Sequence, residues 1–272
     1  RVGLEKSRNL MTVRIAQNLG VNKIADFSKK LGIYEKPEEL LSISLGSAET
    51  TLLKLTSAYS AFVNGGKIVE PILIDRIQDS EGNTIVNNEK RTCINCDQIS
   101  FTSEYYPQIK DNYNQIFSPQ TAYQVTSILE GVIQRGTGKK LKKLKLNLAG
   151  KTGTTNDNTD AWFIGFTSNL VIGVYVGMDN PKPLGKFETG SKVALPIFES
   201  FVKKAIKKSD ARPFKASDEI IMMVVDSTTG QKAKFSSKDT IIEVYKKKNV
   251  IGGKVLYSNN NRLDSNNILK FY

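Results

Sequence analysis

The apolar residues change period near Lys145, and that change limits the architectures open to this chain. Before it, they recur mostly at three- and four-residue steps, the spacing of one helix face. After it they gather in short runs. Leu146 and Leu148 lead into Lys151-Thr152-Gly153-Thr154, and then come Ala161 to Phe166 and Leu170 to Gly177. Runs of that length read as strands. Ser168-Asn169 leaves only a tight connection between the last two, which predicts an antiparallel meander. With helical segments on both sides in sequence, the expected fold class is α/β in the broad α+β sense: an antiparallel sheet flanked by helices.

The helical segments carry their own signals. Ser7 is a candidate cap for a helix with apolar Leu10, Val13 and Ile15 and a stop at Gly20; Ile24 to Gly32 reads as a second. Residues 50–66 place Leu52, Leu53, Leu55, Ala58, Tyr59 and Phe62 at helical spacing before Gly65-Gly66. Ser118-Pro119 opens a helix with Ala122, Val125, Ile128, Leu129, Val132 and Ile133 inward, ended by Arg135-Gly136-Thr137-Gly138. Pro196 to Lys208 is expected to bury Ile197, Phe198, Phe201, Val202, Ala205 and Ile206. Residues 67–117 read as a polar excursion, with a strand-like Ile72 to Ile77 and a turn at 79–83. Residues 213–272 read as a β-rich, loosely packed tail with short runs at Ile220 to Val225, Ile241 to Tyr245 and Val255 to Tyr257.

Composition removes several kinds of chemistry. The 272 residues contain no histidine, so a Ser-His-Asp triad, a Cys-His dyad and histidine-ligated zinc are excluded within the chain. A hydrolase or acyl transferase built from these residues needs another base, and lysine is the candidate. The net charge of +12 attracts anions, but the lysines are scattered and no nucleic-acid motif accompanies them. They read as solvated faces, and nucleic acid is not an expected partner. Cys93 and Cys96 stand in a polar stretch, as a local disulfide or as two free thiols. The longest apolar runs reach about half of the roughly 20 residues a membrane span needs, so any anchor is expected outside this chain.

Gly150-Lys151-Thr152-Gly153-Thr154-Thr155, followed by Asp160-Ala161-Trp162-Phe163-Ile164-Gly165-Phe166, resembles the Lys-Thr-Gly strand and the next strand of class A penicillin-binding proteins. Gly131-Val132-Ile133 with Arg135-Gly136-Thr137-Gly138 resembles the preceding helix and turn. Leu45-Gly46 with Ala58 to Gly66 resembles the middle helix, and Leu4-Glu5-Lys6-Ser7-Arg8-Asn9 the Ser-x-Asn region. The matches run in family order over residues 1–210. The resemblance implies a β-lactamase/transpeptidase-like fold over residues 1–212 and acyl transfer on D-Ala-D-Ala stem peptides of peptidoglycan, with β-lactams as inhibitors and no cofactor. It implies Ser7 as proton relay, Asn9 on the substrate amide, Lys151 with Thr152 and Thr154 for the substrate carboxylate, Thr155 as a further substrate-binding residue, and the Thr154 N–H as an oxyanion donor. Glycine at 153 lets a peptide approach an edge strand. It also implies a parent anchored in the inner membrane, facing the periplasm, with a glycosyltransferase domain upstream.

The family's nucleophile is the serine of a Ser-x-x-Lys motif before Ser-x-Asn. Ser200-Phe201-Val202-Lys203 has the spacing, but it is expected on the solvated face of its helix, where a lysine keeps its charge. Thr51-Leu52-Leu53-Lys54 has the spacing with threonine and is discounted likewise. The chain therefore reads as part of a longer protein, inactive alone, with a missing N-terminal fragment as a partner. The rival readings are a D,D-carboxypeptidase or β-lactamase-like hydrolase and a non-catalytic binding remnant.

Overall fold

A computed structural model describes residues 1–97, 106–207, 212–251 and 254–255. The centre is a three-stranded antiparallel meander: β5 (Ala149–Thr154), β6 (Ala161–Phe166) and β7 (Val171–Val176), in that order. Four short strands precede it: β1 (Arg76–Gln78), β2 (Thr84–Asn87), β3 (Thr92–Ile94) and β4 (Gln108–Lys110). Lys151 pairs with Ile164 and Ile164 with Gly173, so these three share one face. Thr152, Phe163 and Val174 share the other. Among the described residues no strand pairs with the outer side of β5, which leaves it an edge.

Helices cover both faces. In chain order they are α1 (Val2–Glu5), α2 (Asn9–Leu19), α3 (Val21–Lys30), α4 (Leu52–Val63), α5 (Pro119–Gln134) and α6 (Ala194–Ala205). On the Lys151 face, Leu129 and Val132 of α5 pack with Ala149 and Phe166, and Tyr59 of α4 meets Phe166 edge-on. Gly173 lets α4 come close, since a Cβ there would overlap Thr56 Oγ1. On the other face Phe198 of α6 lies edge-on to Phe163 with ring centroids 4.7 Å apart, both fully buried.

The caps follow the residue types. Ser118 Oγ accepts from Thr121 N with Pro119 in the first turn of α5, and Thr51 Oγ1 accepts from Lys54 N at 3.2 Å to start α4. Thr51→Ala is expected to destabilise the chain by about 1 kcal/mol in urea unfolding, the usual value of such a cap. Gly20, Gly65 and Gly66 end their helices with positive φ, as the sequence predicts.

Five expectations need correction. Ser7 is not a cap: Arg8 occupies that position for α2, while Ser7 adopts a left-handed φ of 54°. On α2 it is Ala16 that is buried, and Leu10 and Ile15 are 58% and 64% exposed. On α6, Ile197 and Phe201 are each 49% exposed, and Ala194, Leu195, Phe198 and Val202 make the buried stripe. The sheet touches α6 along a line centred on Phe198, so residues one step round the helix stay in solvent. The helix ends at Ala205, and Lys208 lies outside the described residues.

The fourth correction concerns the packing of the tail. Strands β8 (Ile220–Asp226) and β9 (Thr240–Lys246) form an antiparallel pair docked on α5. Gln124 Nε2 donates to Val244 O at 2.9 Å, and Lys246 Nζ to Thr121 Oγ1 at 2.7 Å. Phe214 stacks edge-on to Phe166, and Val225 and Val244 are buried. Val255 sits in a short two-residue strand; Leu256 and Tyr257 lie outside the described residues.

Within 67–117, the strand expected over Ile72 to Ile77 begins only at Arg76, as β1, which pairs with β2 around the 79–83 turn, and β3 pairs with β4. The ends of this stretch meet, Ile116 N donating to Gly66 O at 2.8 Å and Lys67 pairing with Asp111. Cys93 and Cys96 are joined as a disulfide.

Candidate active site

Alternation along β5 sends the Lys151 side chain to the face covered by α4 and α5, where it is half-buried. Its Nζ donates to Ser7 Oγ at 2.8 Å and to Thr152 O at 2.8 Å. Neither partner is charged, so burial is uncompensated and pulls the ammonium down to about 8. An amine in that range is a cation at neutral pH that gives up its proton readily.

Ser7 reaches Lys151 because the chain reverses sharply between α1 and α2. Ser7 N donates to Leu4 O at 3.2 Å and Arg8 N to Gly3 O at 2.7 Å, with Ser7 in the left-handed region. The reversal is held from behind by Glu5, which is only 3% exposed. Arg135 closes a two-pronged pair on it, Nη2 to Oε1 at 2.6 Å and Nε to Oε2 at 3.2 Å, and Arg1 Nη1 adds a third contact at 3.3 Å. Arg1 is in turn held by Glu243 of β9, Nε to Oε2 at 2.6 Å. Thr137 N donates to Glu5 O at 3.2 Å, and Thr137 Oγ1 lies 2.8 Å from Thr152 Oγ1. Gly131 and Gly136 make room: a Cβ on either would overlap Glu5. Beside this cluster Glu130 is pushed up to about 7 by burial, against the pull of Arg1 and Arg135.

The remaining positions of the motif are placed as follows. Thr154 is exposed at the end of β5, its Oγ1 accepting from Gly190 N at 3.0 Å. Thr155 turns into the 155–160 loop, where its Oγ1 accepts from Asp160 N at 2.8 Å. Gly153 faces its cross-strand partner Trp162, whose Cβ would be 3.0 Å from a Cβ at 153. Asn9 begins α2 with its side chain exposed, and among the described residues no hydrogen bond joins it to Ser7 or Lys151.

Residues 1–203 match the penicillin-binding protein transpeptidase domain. The chain belongs to that family. It is 44% identical over 259 residues to penicillin-binding protein 1A of Rickettsia conorii, an alignment covering 92% of this chain and 32% of the relative. It is 33% identical over 279 residues to penicillin-binding protein 1A of Pseudomonas aeruginosa, covering 90% and 34%. The chain thus spans about a third of the length of these curated relatives. The crystal structure of penicillin-binding protein 1A from Haemophilus influenzae superposes with a TM-score of 0.74 at 28% identity, covering 89% of this chain and 39% of that one. PonA1 of Mycobacterium tuberculosis, solved in complex with penicillin V, shares the fold at a TM-score of 0.61 and 21% identity, covering 79% of this chain and 58% of that one.

Within this transpeptidase family the chain joins Ser7 to Lys151 and holds Thr152 and Thr154 on protein partners. Sequence reasoning placed Glu5, Arg135 and Thr137 within motifs but gave them no role, and it missed Gly190. One signal was present: glycine at 131, inside a helix, is unfavourable unless something must come close.

Proposed function

We propose that these residues form one side of a serine D,D-transpeptidase site that cross-links peptidoglycan stem peptides and is acylated by β-lactams. The 2.8 Å contact between Lys151 Nζ and Ser7 Oγ carries the reading, since it brings together two candidate groups 144 positions apart in sequence. The open edge of β5 supports it, because an extended peptide can add there as a strand. The terminal carboxylate of a D-Ala-D-Ala peptide would lie by the Lys151 ammonium and the Thr152 and Thr154 hydroxyls. The Thr154 N–H would donate to the developing oxyanion, and Asn9 to the peptide amide. A serine attacks the penultimate carbonyl, its proton passes through Ser7 to the departing amine, and D-alanine leaves. An amine of a second stem peptide then attacks the ester and releases the serine.

The attacking serine is proposed to come from a Ser-x-x-Lys segment outside these residues. Ser200 has that spacing but is exposed, and Lys203 is paired with Glu199 at 2.6 Å. Its helix covers the sheet face opposite Lys151. The exposed Leu10, Met11, Ile15 and Leu19 of α2 offer apolar surface on which such a segment would dock. Among the described residues no helix is long and apolar enough to cross a membrane. The membrane anchor and a glycosyltransferase domain are proposed for the longer protein, at the periplasmic face.

Fluorescent penicillin tests this. A longer polypeptide that adds a Ser-x-x-Lys segment should be labelled and this chain alone should not. Labelling of this chain that disappears on Ser200→Ala would overturn the assignment. Cross-linked peptide dimer, rather than released D-alanine alone, distinguishes transpeptidation from carboxypeptidation.

A further inference from the structure

We infer that Glu5 is a positioning residue of this site: clamped by Arg135, it holds the Ser7 turn against Lys151. The inference rests on the proposed roles of Ser7 and Lys151 and deepens them.

Glu5 sits two residues before Ser7 and is buried, while Arg135 is part-exposed and comes from the end of α5. A buried carboxylate is stable only when paired, and Glu5 has donors on both oxygens. The same end of α5 also holds β5. Thr137 donates its N–H to Glu5 O and places its hydroxyl 2.8 Å from that of Thr152, the residue after Lys151. One turn of chain, Arg135 to Thr137, thus fixes the distance between the Ser7 turn and the Lys151 strand. The left-handed φ of Ser7 needs such external support, since a non-glycine residue does not rest there unaided. The glycines at 131 and 136 show that the packing is tight on the side facing Glu5.

The test reads Lys151 itself, without substrate, by NMR titration of its side chain in this chain. Wild-type Lys151 should titrate well below the ordinary lysine value of 10.5 because the Ser7 turn covers it. In Glu5→Ala the turn is released, water reaches the amine, and its midpoint should rise by about one pH unit or more. Arg135→Ala, which leaves Glu5 only the longer contact to Arg1, should move it in the same direction, and Glu5→Gln, which keeps one acceptor for Arg135, should move it less. Lower melting temperatures with an unchanged Lys151 midpoint would show a merely structural role and overturn the inference. A wild-type Lys151 that titrates at the ordinary lysine value would overturn it too, since no cover would exist to lose. Penicillin labelling plays no part in this readout, so its failure and that of the acylation reading are separable.

Discussion

Lys151→Met should lower penicillin acylation of the longer polypeptide by about 10²–10³-fold, as losing one preorganised hydrogen-bond donor does elsewhere, and should raise the melting temperature of this chain. The two effects have one cause. A half-buried ammonium with no charged partner destabilises the fold, and the substrate carboxylate proposed above would supply that partner. The pH dependence follows from linkage. The folded state releases the Lys151 proton at about 8, below the ordinary value of 10.5, so between those values the unfolded chain binds more protons. The wild type therefore gains stability relative to the variant as pH rises through that window, and the methionine variant's advantage is greatest below it. Acylation of the wild type should fall above about pH 8 as the ammonium is lost, while the residual rate of the variant should stay flat. A difference in melting temperature that does not change with pH would mean that Lys151 is not the desolvated group described above.

The legible parts of the fold are those with a local cause. The β6–β7 half of the meander is readable because both strands are short and apolar and only residues 167–170 join them. The α4 and α5 boundaries are readable from Thr51, Ser118-Pro119 and the terminal glycines. The candidate site was legible through its motif order, which no single spacing supplies. Glu5 was not, because an acidic residue between Leu4 and Lys6 looks solvated in sequence; Arg135, 130 positions away, with a further contact from Arg1, makes it a buried anchor. The docking of β8 and β9 was hidden for the same reason, since its polar contacts come from Arg1, Thr121 and Gln124. The exposed apolar residues of α2 and α6 show the converse limit: spacing gives a stripe, but not how much of it a neighbour covers.

The second large effect concerns Gly131, where two principles predict opposite signs. Helix propensity says that alanine at an interior helix position stabilises by up to about 1 kcal/mol over glycine. The structure says that a Cβ there overlaps Glu5 Oε1 and crowds the Arg135 guanidinium. Glu5 is the buried partner of the pair and cannot move aside without losing its two bonds to Arg135, and leaving a buried carboxylate unpaired costs about 3–5 kcal/mol. The steric term is the larger, so Gly131→Ala should destabilise by about 2–4 kcal/mol net, a fall of roughly 4–16 °C in melting temperature for a chain of this size. Gly136→Ala should behave alike, because its Cβ would overlap the Glu5 carbonyl oxygen, a backbone atom with still less freedom. Gly82→Ala is the control: it has a positive φ of 87° but open space around it, and should cost only about 1–2 kcal/mol from backbone strain. If Gly131→Ala is as stable as the wild type or more so, propensity has won, and the close contact between α5 and Glu5 is not part of the folded protein. If it is destabilised well beyond Gly82→Ala, the glycine is there to admit a carboxylate, and the helix tolerates its weakest interior residue so that Ser7 can stand against Lys151.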